Sequence, residues 1–143
     1  MASLHDLVET LGRDEPRIHG LDLLRESPHF TQMNEEMQSG VRDCLACALA
    51  CEQTIEHCLR RGGEYASQEH IRLLRDCVDL CRLSGELIVR GSTYNARLCM
   101  LCGDACSACE RWCSIFSGDA QMKACVTACR TCASSCRRIG PLH

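Results

Sequence analysis

Fifteen cysteines in 143 residues recur at helical spacing. Cys99, Cys102, Cys106, Cys109 and Cys113 step by three, four, three and four, and Cys125, Cys129, Cys132 and Cys136 by four, three and four. Cys44, Cys47 and Cys51 continue by a seven-residue step to Cys58, and Cys77 and Cys81 add one more step of four. These are heptad a and d positions, where a helix bundle normally carries leucine. Here the seam carries sulfur, and its chemistry is that of soft metal ligands.

Six CxxxC pairs occur: Cys47/Cys51, Cys77/Cys81, Cys102/Cys106, Cys109/Cys113, Cys125/Cys129 and Cys132/Cys136. Residues four apart share one helix face, so two thiolates can pinch one ion between them. That suits Cu(I), a soft ion content with two or three thiolates. Tetrahedral Zn(II) takes four ligands, usually from CxxC knuckles on loops. CxxC steps occur here too, but inside the heptads. Charge sets how far such a core can be filled. A buried thiolate is costly, whereas each Cu(I) that replaces a thiol proton leaves the interior charge unchanged. Zn(II) on four thiolates leaves two negative charges behind.

Disulfides are the other use of so many cysteines. A bond between residues three or four apart would staple a helix to itself with poor geometry. Fifteen is also odd, so at least one thiol would be left over. The first twenty residues carry acids and no apolar signal core, and no run is long enough to span a membrane. The expectation is a cytosolic chain with reduced thiols. A net charge of −3 offers no basic patch for nucleic acid. Two Phe, two Tyr and one Trp are few for a conventional core.

The elements that must position these residues are helices. Residues 1–27 lack cysteine and read as an N-terminal arm: Leu4, Leu7, Val8 and Leu11 mark a short amphipathic helix ended by Gly12, and Leu21, Leu23 and Leu24 a second apolar patch. Residues 28–140 read as the bundle. Ser27-Pro28 is a helix start, and the first long helix is expected from Pro28 to Arg61, with a bend near Ser39-Gly40. Gly62-Gly63 stops it. The second is expected over Ser67–Arg90. The third, capped by Ser92 or Thr93, ends near Phe116, and the fourth runs from Asp119 to Arg138. Four such helices with short connections predict an all-α, antiparallel up-down four-helix bundle.

Other residues share the stripes. His70 lies seven before Cys77 and Met122 three before Cys125. Both fall at the end of the bundle that holds Cys58, Cys113 and Cys125, where an imidazole and a thioether could pass Cu(I). The alternative is that Met122 is core filler and His70 a solvated surface residue. His57, adjacent to Cys58, could reach the same end, but the surface reading is favoured for it. Met37, Ile88, Asn95 and Ile139 fall at the opposite end, as a hydrophobic plug. After Cys81 the second helix continues as Ser84, Leu87 and Ile88, so the ladder of sites is expected to thin toward that plug. Trp112, Arg111 and Glu110 lie off the seam.

The segments CLACALACEQTIEHC, CVDLC, CMLCGDACSACERWC and CVTACRTCASSC closely resemble the bacterial copper storage proteins of the cytosolic type. The resemblance covers about residues 28–140. It implies a homotetramer of four-helix bundles, each holding many Cu(I) ions through Cys thiolates, with His or Met near an opening. The function expected is cytosolic Cu(I) storage and detoxification, not enzymatic, with a small metallochaperone or glutathione as donor. The alternative is a thiol-rich Zn- or Cd-binding or redox-buffering protein. A redox centre needs one accessible low-pKa thiol rather than a buried ladder. A ferritin-like di-iron site needs a Glu-x-x-His motif, which the sequence lacks.

Overall fold

Residues 1–6 and 20–140 are described in the computed structural model. Two compact units are present, Met1–Gln32 and Met33–His143. In the first, Leu4 sits in a helical turn and is exposed, while Leu7, Val8, Leu11 and Gly12 lie outside the described residues. Gly20–Glu26 forms a 3₁₀ helix. Its period of three puts Leu21 and Leu24 on one face and leaves Leu23 off it; Leu21 and Leu23 are both exposed, so the three leucines do not form one buried patch.

The second unit is an antiparallel four-helix bundle of α1 (Glu35–Arg61), α2 (Gln68–Val89), α3 (Asn95–Cys113) and α4 (Ala120–Ile139). Each helix packs on two neighbours, in the order α1, α2, α3, α4 and back to α1. The first helix departs from its expected start. Pro28–Thr31 forms a separate single turn, and α1 begins at Glu35. Asn34 decides this: its side chain accepts from Met37 N at 2.8 Å, and Glu35 and Glu36 follow in the first turn, where the helix dipole favours acids.

α1 runs through Gly40 as one continuous helix. That glycine serves close packing, because a Cβ there would collide with Ile139 Cδ1 and press on Ile88 Cδ1 at 3.3 Å. Gly62 and Gly63 take positive φ (71° and 57°) and turn the chain into α2, whose cap Ser67 accepts from His70 N. α3 starts later than expected: Ser92 Oγ accepts from Tyr94 N, and the first helical residue is Asn95. It also ends earlier, at Cys113, after which Ile115 N and Phe116 N bond three residues back and tighten the chain into a turn. Asp119 caps α4 as expected, accepting from Gln121 N and Met122 N at 3.0 and 3.1 Å.

The outer faces carry polar ties between helices: Arg130 to Glu110 at 2.8 Å joins α4 to α3, and Ser135 donates to Asp43 across α4 and α1. The interior is sulfur. Every cysteine is buried, and none is in a disulfide.

Candidate metal centre

The heptads place all fifteen thiols in one column along the bundle axis. Contacts between α1 and α4 run Cys44–Cys136 at 3.7 Å, Cys47–Cys129 at 3.8 Å and Cys51–Cys125 at 3.9 Å. Between α2 and α3 they run Cys81–Cys102 at 3.5 Å and Cys77–Cys106 at 3.6 Å. One residue number rises as its partner's falls, which is antiparallel register. Contacts also cross the bundle, with Cys47–Cys106 at 4.0 Å and Cys81–Cys132 at 3.7 Å. Within helices, Cys47/Cys51, Cys77/Cys81, Cys102/Cys106, Cys109/Cys113 and Cys125/Cys129 stand 3.9 to 4.0 Å apart.

These separations define coordination. An ion about 2.3 Å from each sulfur, the distance typical of zinc thiolates, places trigonal ligands about 4.0 Å apart and linear ones about 4.6 Å apart. Each CxxxC pair therefore fits two corners of a triangle, with a third sulfur from a facing helix, better than an isolated linear clamp. The thiols gather in four-membered groups: Cys44/Cys102/Cys132/Cys136, Cys81/Cys102/Cys106/Cys132, Cys47/Cys77/Cys81/Cys106, Cys47/Cys51/Cys77/Cys129 and Cys51/Cys109/Cys125/Cys129. Each group shares members with the next, so the sites merge into one ladder rather than separate cages.

Protons set what an incoming ion must displace. Hydrogen bonding to Cys136 and burial hold the Cys99 thiol far above its ordinary value. Burial pushes Cys58 up to about 11. Where a sulfur accepts from several neighbours the thiolate is favoured instead, as at Cys77, whose first such partner is Cys106.

The two ends differ. At one, the Cys58 thiol points at Met122 Sδ, 3.7 Å away, and Met122 is fully buried. His70 is fully buried too, against the solvated reading. Its Nδ1 lies 2.8 Å from the Tyr65 carbonyl oxygen. A carbonyl only accepts, so Nδ1 carries the proton and Nε2 presents its lone pair to Cys113 Sγ at 3.6 Å. Desolvation lowers the His70 pKa and keeps the ring neutral. Trp112 and Phe116 stack on that ring, with centroids at 5.7 and 5.3 Å. Sequence reasoning missed this aromatic clamp; Trp112 and Phe116, four apart and flanking Cys113, were its signal. His57, next to Cys58 in sequence, is at the same end, half-buried and paired with Asp119 at 2.8 Å. That bond, first among several causes, holds the Asp119 carboxyl down to about 2.

At the other end Ile88 and Ile139 are buried around Gly40 and Asn95, with Met37 half-buried, as the plug reading expects. Cys99 belongs to none of the four-thiol groups. Ser84 stands one turn past Cys81, as Cys99 stands one turn before Cys102 on the antiparallel neighbour, so it occupies the place of the next thiol. Its Oγ is buried without a hydrogen-bond partner, and so is Asn95 Oδ1.

A four-helix bundle whose axis is a dry, unbroken run of unpaired thiols is a thiolate metal-binding protein. Comparison with known proteins narrows the class. Residues 33–141 match the family "Copper storage protein", and the chain belongs to that family. It is 32% identical over 105 residues to an uncharacterized cysteine-rich protein, YhjQ, of Bacillus subtilis, covering 73% of this chain and 96% of that one. The Cu(I)-bound copper storage protein BsCsp3 of Bacillus subtilis superposes with a TM-score of 0.69 at 30% identity, covering 74% of this chain and 99% of that one. The copper storage protein Ccsp of Streptomyces lividans, loaded with 10 copper equivalents, gives a TM-score of 0.70 at 27% identity, over 85% and 97% of the two chains.

Proposed function

We propose that this chain stores and detoxifies Cu(I) in the cytosol, holding many ions as cargo along the thiol column, with Cys44, Cys47, Cys51, Cys58, Cys77, Cys81, Cys99, Cys102, Cys106, Cys109, Cys113, Cys125, Cys129, Cys132 and Cys136 as ligands. One observation carries this: the buried four-thiol groups share members end to end. A shared thiolate bridges two ions, so the column is built for many monovalent ions and not for a few isolated divalent ones. Charge agrees, since one Cu(I) per thiolate leaves the interior neutral, whereas Zn(II) or Cd(II) at one per four thiolates accumulates two negative charges per site. Redox buffering is disfavoured because the thiols are closed off from solvent.

His70 Nε2 and Met122 Sδ serve as terminal ligands where the column nears Cys113 and Cys58. Their positions support a route by which copper is handed inward by thiolate exchange, from a metallochaperone or a small thiol. No helix among the described residues is long and apolar enough to cross a membrane. The homotetramer that the resemblance to the family implies is part of this reading.

The test is anaerobic competition. Cu(I) and Zn(II) are offered together, bound metal is counted, and released protons are measured. Loading near one Cu(I) per cysteine, with about one proton released per ion, is expected. Saturation at a few ions per chain, or preference for Zn(II), refutes it. Light scattering at the same concentrations reads the assembly state.

A further inference from the structure

A groove of about 300 Å³ opens where the end of α3, the turn after it and the first two turns of α4 meet. Cys113, Phe116, Gly118, Asp119, Lys123 and Val126 line it. Its volume lies at the small end of the range for small-molecule sites, roughly 300–1,000 Å³, and is too small for a folded partner. Cys113 is buried, like every cysteine, and is the one that lines this groove. From Cys113 the column continues without a gap, with His70 Nε2 at 3.6 Å, Cys125 at 3.9 Å and Cys109 at 4.0 Å.

Lys123 is the chain's one lysine. It is exposed, and its ammonium has no ion-pair partner among the described residues. The acid beside it, Asp119, is already engaged by His57 and by the first amides of α4. A chain of net charge −3 repels an anion at long range, so a cation beside a thiol that lines the groove fits an anionic visitor.

We propose that this groove docks a small Cu(I)–thiolate complex whose thiol bears carboxylates, with Lys123 holding a carboxylate and Cys113 Sγ taking the copper. This rests on the storage reading. In the exchange a Cu–Sγ bond forms at Cys113 as the donor's Cu–S bond breaks. The Cys113 thiol proton passes to the departing thiolate, and copper stays Cu(I) throughout. Cys125 and His70 then share the ion and release it inward.

Anaerobic stopped-flow transfer to the full-length chain tests this with two donors, Cu(I)–glutathione and Cu(I) in acetonitrile, whose ligand is neutral. The expected result is that Lys123→Glu slows transfer from glutathione about tenfold, as charge reversal at a steering site does. Lys123→Arg should restore the rate, the acetonitrile rate and the final copper count should stay unchanged, and the glutathione rate alone should fall with salt. An unchanged glutathione rate in Lys123→Glu, or equal slowing with both donors, overturns the docking site while leaving storage intact. A wild-type chain that takes copper from neither donor removes the storage reading and this one with it.

Discussion

Ser84→Cys tests whether the column is a register that sequence alone interrupts. Ser84 is fully buried, and its hydroxyl finds no partner. A buried, unsatisfied hydroxyl costs about 1–3 kcal/mol. Replacing it with a thiol removes most of that penalty, and the new sulfur is somewhat larger than the oxygen. The two helices are close here: a Cβ at the neighbouring Gly85 would lie 3.1 Å from Leu45 Cδ2 and 3.8 Å from Cys44 Cβ. The metal-free variant should therefore gain about 1 kcal/mol, or about 3 °C in melting temperature for a chain of this length. Its copper capacity should rise by one ion, since the new thiol takes the next position of the stripe after Cys81, beside the layer of Cys44, Cys102, Cys132 and Cys136. Ser84→Ala should share the stability gain without the capacity. Anaerobic Cu(I) titration against a chromophoric chelator and thermal melting read both quantities. A Ser84→Cys variant that melts lower and binds no additional copper would show that this stripe does not continue the ladder.

His70→Ala and Met122→Ala should slow copper uptake severalfold while lowering capacity by no more than one ion each, read by stopped-flow and by metal analysis. His70→Ala also strands the Tyr65 carbonyl and opens a cavity under Trp112, at about 2–4 kcal/mol in denaturant unfolding. Asp119→Ala removes the α4 cap and the His57 bond, costing about 1 kcal/mol. Because the folded pKa of Asp119 lies below its ordinary 3.8, the wild-type advantage should be whole above that pH and fade as pH falls through about 2. Gly40→Ala should cost about 1–3 kcal/mol, since the added methyl overlaps Ile139, and urea melts of the metal-free chain read this directly.

Heptad spacing was enough to establish the bundle and the sulfur-bearing face of each helix, because thiols repeated every 3.5 residues fall in a single stripe that helices bury against one another. Asp119 was legible as a cap, since its side chain needs only the next turn's amides, and the start of the second helix was legible to within one residue of Ser67. Asn34 was not: which of several polar residues starts a helix depends on what the following turn packs against. Only the tertiary structure decided the rest. Whether Cys47 faces Cys129 or Cys125 is a matter of helix register, which the heptads leave free by whole turns. His70 could be a wet surface residue in any one helix; the stacking of Trp112 and Phe116 and the Tyr65 carbonyl, brought from other segments, made it a dry ring with its lone pair turned on Cys113. Local periodicity fixes faces, but partners come from how the faces dock.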